Sequence, residues 1–208
     1  ESTYNAFTAT FNKRMTSGWQ AQATYTFAHG EDNAPLTGTY VVGSGDDRVS
    51  DPSNLDRDLG VTPFHQAHTF VVSTVIAPSF TGDGLKTALL NNNQIGLIMQ
   101  ANSGLPFNIR SNLDLNRDGQ TNDRPLGIDR NTGRLGQVVY LDLRYSRFIP
   151  LASEQKIELF FEAKNLFNTE NVAGVNRIVT TDVAGNPSAP LPDPFPPTSG
   201  YDQRQMQL

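Results

Sequence analysis

Residues 137–168 read QVVYLDLRYSRFIPLASEQKIELFFEAKNLFN and contain two strand-like segments joined by a short turn. Side chains at positions i and i+2 of a strand point to the same side, so a period of two gives one apolar and one polar face. In the second segment the apolar positions are Ile157, Leu159, Phe161 and Ala163, and the charged ones are Lys156, Glu158, Glu162 and Lys164. In the first segment Val139, Leu141, Leu143 and Tyr145 alternate with Asp142, Arg144 and Ser146. Residues 151–154 form the turn, so an antiparallel pair is predicted.

The rest of the chain repeats this pattern, and its connections alternate in length. Further strand-like segments lie at 3–15, 19–29, 67–78, 92–103 and 201–208. Short connections lie at 16–18, 79–91 and 151–154, and polar stretches of roughly thirty residues lie at about 30–66, 104–136 and 169–200. Short turns on one side and long loops on the other are typical of transmembrane β-barrels. We therefore predict an all-β, antiparallel up-and-down meander of about seven or eight strands from a larger barrel, with the long loops on one side.

Composition excludes several other classes of protein. Only 37% of the 208 residues are hydrophobic and the mean hydropathy is −0.41, and no apolar run is long enough for a transmembrane helix. A barrel wall is compatible with these values because lipid-facing and lumen-facing residues alternate along each strand. The absence of cysteine excludes disulfides and thiolate metal sites, and a net charge of −5 argues against nucleic acid as a partner.

A soluble protein is the alternative interpretation of the same pattern. A β-sandwich also alternates apolar and polar residues, with its apolar face on a core. The alternative function is then a soluble, calcium-stabilised β-rich module for binding or adhesion. Loops of roughly thirty residues on one side only are uncommon in compact soluble domains, and this favours the barrel.

Several stretches are similar to one known family of membrane receptors. They are LDLRYSRF at 141–148, KIELFFEAKNLFN at 156–168, DR at 56–57 leading to HQAHTF at 65–70, SGLPFNI at 103–109, and DLNRDG at 114–119 continuing to NDRP at 122–125. In this order and spacing they resemble TonB-dependent outer-membrane receptors. The best match is the Oar-like branch, which carries a carboxypeptidase-regulatory-like domain at its N-terminus.

This resemblance implies an architecture, a location and a set of partners. Residues 1–208 would form the C-terminal part of a barrel of about 22 strands in the outer membrane, as a fragment without the plug and N-terminal domains. The partners would be the remainder of the barrel and plug, a TonB-type energy-transducing protein acting through the plug, and outer-membrane lipid. Leu141, Leu143, Ile157, Leu159 and Phe161 would face lipid, and Asp142, Arg144, Glu158 and Glu162 would face the lumen. The function would be substrate uptake, with no enzymatic activity.

The second long loop contains a pattern of oxygen-bearing residues that suits calcium. Oxygen ligands at alternate positions with glycine in sixth place are how a calcium loop wraps its ion. The candidate ligands are Asp114, Asn116, Asp118, Gln120 and Asp123, with Gly119 at the turn. Pro125 stands at the twelfth position, where an EF-hand has a bidentate glutamate. The alternative is a turn whose Asp and Asn side chains bond their own backbone.

Other chemistry has weaker support in the sequence. His65 and His68 lack the HExxH context of a zinc site, and there is no GxSxG nucleophile motif. We therefore expect no catalytic residues. The acidic residues of the first long loop are expected to keep that loop solvated; they are Asp46, Asp47, Asp51, Asp56 and Asp58.

Overall fold

The computed structural model describes residues 1–33, 49–50, 54–119, 123–151 and 154–207. The long strands are β1 (Ser2–Thr16), β2 (Trp19–Asp32), β4 (His68–Ile76), β5 (Asn93–Asn102), β9 (Val138–Pro150) and β10 (Lys156–Lys164), with the short β3 (Gly60–Val61) and β14 (Gln205–Gln207) in the same sheet. Short strands in the loops are β6 (Pro106–Phe107), β7 (Arg110–Ser111), β8 (Gly133–Arg134), β11 (Val172–Val175), β12 (Ile178–Val179) and β13 (Pro197–Gly200). The helical segments are a 3-10 turn at Leu55–Asp58 and α1 at Leu85–Leu90.

The main sheet is an antiparallel meander. Its strand order is β1-β2-β4-β5-β9-β10-β14, and β3 pairs with the end of β2. Each long strand is therefore hydrogen-bonded to the next long strand in the chain, and the predicted fold class is confirmed. Among the described residues 201–207 of the last predicted segment, only Gln205–Gln207 pair with β10, so this strand begins later than expected.

The register of the strands places side chains of similar polarity opposite one another across the sheet. One row of opposed residues is Lys13, Ala21, Thr74, Leu97, Leu143, Ala163 and Met206, which is apolar except at Lys13 and Thr74. The neighbouring row, which points the other way, is Asn12, Gln22, Ser73, Ile98 and Asp142. We call these two sides the apolar face and the polar face. The predicted alternation thus extends from β1 to β10, with Lys13, Thr74 and Ile98 as exceptions in these two rows.

The apolar face has no covering layer in the described part of the chain. Phe7, Phe11 and Leu159 on this face are 64%, 56% and 56% exposed. The few buried apolar residues are Ala28, Phe107, Ile109, Val138 and Ala163, and two of them belong to the second long loop. A face of this kind requires an apolar environment outside the chain. Separately, none of the helices in the described ranges is long and apolar enough to cross a membrane.

The three long loops lie at one end of the sheet and the short connections at the other. At the short end, Ser17 and Gly18 both have positive φ, as a two-residue type I′ hairpin requires, and Ala77 N–H donates to Gly18 O at 2.7 Å. Arg147 reaches the carbonyl of Asn91 at 2.6 Å in the next connection. The turn at 151–154 also belongs to this end, although residues 152 and 153 lie outside the described ranges.

Candidate functional site

The long loops pack on one another, and we call their described residues (54–67, 103–119, 123–137 and 165–204) the loop layer. Arg124 lies inside it with only 4% of its surface exposed. Its Nη1 donates to Asp58 Oδ1 at 2.8 Å and to Ser50 Oγ at 2.8 Å, and its Nη2 donates to the carbonyl of Arg57. Burial raises the pKa of Asp58, but the hydrogen bonds from Arg124 and Ser50 and the charge of Arg124 outweigh it, so this pKa lies below its ordinary value. The first and second long loops are thus joined by a buried ion pair.

A second arginine fastens the same two loops to the wall. Arg130 is 5% exposed and forms an ion pair with Asp32 at the end of β2. It also donates to the carbonyls of Asp32 at 2.9 Å and Asp58 at 3.2 Å. The side chain of the adjacent Asn131 donates to Val61 O at 2.7 Å. Ion pairs and amide hydrogen bonds therefore fix the two loops to each other and to the end of β2.

The third long loop joins this layer by main-chain pairing. Strand β12 pairs in parallel with β7, and Arg110 N–H donates to Arg177 O at 2.9 Å. The hydroxyls of Ser111 and Thr181 are 2.7 Å apart and buried. Beside β9, the Asn171 side chain accepts from Val139 N–H and donates to Val139 O, as a neighbouring strand would.

The predicted calcium residues form a compact turn in the second loop. The Asp114 carboxylate accepts from Asp118 N–H at 3.2 Å and from Gly119 N–H at 2.9 Å, and Asn116 Oδ1 accepts from Asp118 N–H at 3.0 Å. Asp123 is 1% exposed, and its Oδ2 accepts from Leu115 N–H at 2.6 Å. Gln120 lies outside the described residues. Asp114, Asn116 and Asp118 are therefore adjacent, while Asp123 faces the backbone of the same turn; calcium binding stays a prediction.

One expectation about the acidic residues was wrong. Asp58 is 4% exposed and paired with Arg124, so it holds the loop layer together instead of solvating it. Asp46, Asp47 and Asp51 lie outside the described residues. The sequence pattern predicts no role for Arg124, Arg130 or Asn171. The NDRP stretch at 122–125 was the available signal, since Arg124 and Pro125 are buried together.

The polar face carries a mixed charge cluster, which we call the Arg144 cluster. Arg144 lies between Glu158 at 3.2 Å and Glu162 at 3.3 Å, and its guanidinium is 4.4 Å from the ring centre of Phe160. Ser146 Oγ donates to Glu158 Oε1 at 2.7 Å. Asp142 and Lys164 lie on the same face. The predicted polar residues of β9 and β10 are thus brought together.

Comparison with known proteins identifies the family. A family model described as an outer membrane beta barrel domain matches residues 1–136. The chain belongs to the outer membrane beta barrel domain family. Comparisons with curated proteins and with solved structures found no match. The family match supports an outer-membrane barrel protein and not the soluble module. We expect the apolar face of such a barrel to contact lipid.

Aromatic side chains lie at both ends of the apolar face of this barrel protein. At the short end Lys13 Nζ lies 4.0 Å from the ring centre of Trp19. At the loop end Tyr25 and Phe27 contact His68, whose Nδ1 is 2.8 Å from the Tyr25 hydroxyl. Trp19 and Phe27 on β2 are about eight residues apart, which is ~27 Å of strand and roughly 20 Å along a barrel axis tilted by ~40°. This height suits the lipid band of an outer-membrane barrel.

The barrel protein's histidines are at the loop-end rim rather than in a metal cluster. His29 lies 3.2 Å from Glu31 and contacts the His65 ring edge-on. Burial lowers the pKa of His65, and the nearby charge of Arg134 lowers it further. Across the described ranges, no three His, Cys, Asp or Glu side chains are grouped as a metal site requires.

Proposed function

We propose that this chain forms part of the wall of a TonB-dependent outer-membrane receptor of the Oar-like branch, and that the whole receptor imports a substrate. In this proposal residues 1–208 are the C-terminal part of the barrel. Other polypeptide supplies the remaining strands, the plug and the N-terminal domains. A TonB-type protein delivers energy through the plug, and outer-membrane lipid surrounds the wall.

The observation that carries this proposal is the Arg144 cluster on the polar face. It combines Asp142, Glu158 and Glu162 with Arg144 and Lys164, so the two signs of charge nearly balance. An ion-selective pore is lined by charges of one sign. A patch of nearly balanced charge with fixed hydrogen bonds suits contact with a folded protein surface instead. A plug inside the barrel is such a surface.

The loop layer is the second support for a receptor. Arg124 and Arg130 hold the loops in one arrangement through buried ion pairs. A preorganised surface binds with a smaller loss of conformational entropy than a flexible one. Loops fastened in this way over one end of the wall are suited to substrate capture.

The proposal includes no bond chemistry. His29 contacts Glu31 and His65, and His68 contacts Tyr25, so the histidines pack at the rim of the wall. Nucleic acid is not among the proposed partners, because the net charge is −5. Calcium would act only as a structural clip in the loop at 114–123.

Photocrosslinking tests the proposed plug contact without knowledge of the substrate. Gln100 on the polar face and Met99 on the apolar face are consecutive residues of β5, so they form a matched pair. Benzoylphenylalanine at position 100 of the receptor in intact cells should crosslink to peptides from outside residues 1–208, as identified by mass spectrometry. The yield should change when an uncoupler collapses the proton-motive force. The same probe at position 99 should label lipid under both conditions.

An open pore would give a different result. The probe at position 100 would then form no crosslink to polypeptide, and the uncoupler would have no effect on either position. That result would be consistent with an outer-membrane barrel but would contradict the proposal of a TonB-dependent receptor.

A further inference from the structure

The polar face ends in a pocket at the loop end of β1 and β2, which we call the Tyr4 pocket. Tyr4 pairs with Gly30, and it lies on the polar face two positions from Ala6 and four from Thr8. Thr62 N–H donates to Gly30 O at 3.0 Å, so the first long loop crosses the strand ends here. A Cβ at position 30 would lie 3.2 Å from Tyr4 Cδ2 and 3.5 Å from Thr62 Oγ1. Glycine at this position therefore makes room for the Tyr4 ring beside Thr62.

The size and the aromatic rings of the Tyr4 pocket suit a small ligand. Its volume is about 490 Å³, within the roughly 300–1,000 Å³ range of ligand sites. Two of the rings that line it are largely exposed, with Tyr4 at 68% and Phe64 at 73%. Large aromatic side chains left open beside a cavity are available to stack on a ligand.

The polar groups of the pocket are mainly hydroxyls. Those that line it belong to Ser2, Thr3, Tyr4, Thr26, Thr62 and Thr69. The Thr26 hydroxyl contacts that of Thr8 at 3.1 Å, whereas Tyr4, Thr62 and Thr69 have no side-chain hydrogen bond to other described residues. A hydroxyl both donates and accepts, so these groups can meet ligand atoms of either kind.

The pocket lacks a free charge among its described lining residues. Asp32 is paired with Arg130, and no lysine or arginine lines the cavity. Burial lowers the pKa of His65, which favours the neutral form of its ring. An anionic ligand would find no counter-ion here, and a purely apolar ligand would leave the hydroxyls without partners.

We propose that the Tyr4 pocket binds a neutral saccharide unit, stacked on Tyr4 and Phe64 and hydrogen-bonded by Thr62 and Thr69. A sugar ring has an apolar C–H face for the aromatic rings and hydroxyls at its edge for the threonines. The site lies where the loop layer meets the polar face, so it would receive substrate from the loops. This inference rests on the proposed receptor function and names its substrate class.

Binding to outer-membrane vesicles that carry the protein tests the proposal. The probes are radiolabelled maltohexaose as a neutral oligosaccharide and radiolabelled trialanine as a small peptide, with vesicles lacking the protein as background. We expect saturable binding of maltohexaose and none of trialanine. Phe64→Ala and Tyr4→Ala should each weaken it by roughly tenfold, and Tyr4→Phe should weaken it less because the stacking ring remains.

Phe167→Ala is the matched control, because Phe167 is 74% exposed and lies outside the pocket. It should bind like the parent protein. Absence of saturable maltohexaose binding, equal binding by Phe64→Ala and the parent, or preference for trialanine would each overturn the saccharide site. Heat-modified gel mobility of every variant shows separately whether the protein is folded in the membrane. Failure of the receptor proposal itself is detected by the crosslinking at position 100, which does not depend on the ligand.

Discussion

The strand wall and the loop layer hold themselves together by opposite means. In the wall, apolar side chains such as Phe7 and Leu159 are more than half exposed, while the charged Arg144 cluster is partly solvated. In the loop layer, Arg124 and Asp58 are each 4% exposed. In the proposed function, lipid supplies the partner for the apolar residues of the wall, and the backbone ladder holds the strands. Polar groups that are buried where the loops pack on one another are out of contact with water, so they must satisfy one another.

Removal of a buried charge from the loop layer should give the largest effect. Arg124→Ala leaves Asp58 buried without its partner, which costs about 3–5 kcal/mol. We expect this loss in the local unfolding free energy of the loops, measured by hydrogen exchange, with little change in the strands. Arg117→Ala in the same loop is the control, since Arg117 is exposed. Equal protection of the loops in both variants would show that the ion pair does not hold the layer.

An arginine introduced on each face of the wall should distinguish the lipid-facing side from the lumen-facing side. Leu97 and Ile98 are consecutive apolar residues near the middle of β5, on the apolar and polar face respectively. Leu97→Arg should cost about 2–4 kcal/mol in lipid, whereas Ile98→Arg should be mild because it faces the lumen opposite Asp142. Urea unfolding in lipid vesicles measures both. Similar costs at the two positions would contradict the assignment of the faces, since a one-residue change of register exchanges them.

Acid should loosen the loop layer before the wall. The pKa of Asp58 is lower in the folded protein than its ordinary value of 3.8, so its contribution to stability is complete above that value. The contribution is lost as the pH falls through the lower, folded pKa. Proteolysis of the loops by pepsin should therefore increase as the pH decreases below about 3.8. Asp58→Asn should remove most of this pH dependence; a loop layer that stays equally acid-sensitive in Asp58→Asn would assign the effect to other carboxylates.

Calcium should give the smallest effect, confined to one turn of the loop layer. With no bidentate twelfth ligand we expect a dissociation constant of about 10⁻⁴–10⁻³ M, which at ~1 mM calcium corresponds to about 0.4–1.4 kcal/mol of stabilisation. Calorimetry should detect binding that Asp118→Ala abolishes while the strands stay folded. If no calcium-dependent heat is measured up to ~10 mM, the turn does not bind calcium and is held by its own hydrogen bonds alone.

The features that could be predicted from the sequence are those that depend on a pattern repeated along the chain. Alternation in residues 137–168 predicted β9, β10 and the shared face of Arg144 and Glu158, and all are observed. The sequence alone did not show which charged residues of the loops are buried. Asp58 reads as a solvating carboxylate because its partner, Arg124, is 66 residues away in the chain. Asp114, Asn116 and Asp118 could be placed together because they share one short turn.

The sequence by itself determined the strands, the two faces and the side of the long loops, because side-chain direction in a strand depends only on the parity of its position. It also determined the membrane environment through the spacing of turns and loops. Only the tertiary structure decided which charges are buried and where the polar face ends in a pocket. Tyr4 and Phe64 line one cavity although they belong to β1 and to the first long loop. Contacts of that kind depend on the paths of the loops. The loop sequences have no repeating pattern from which those paths could be predicted.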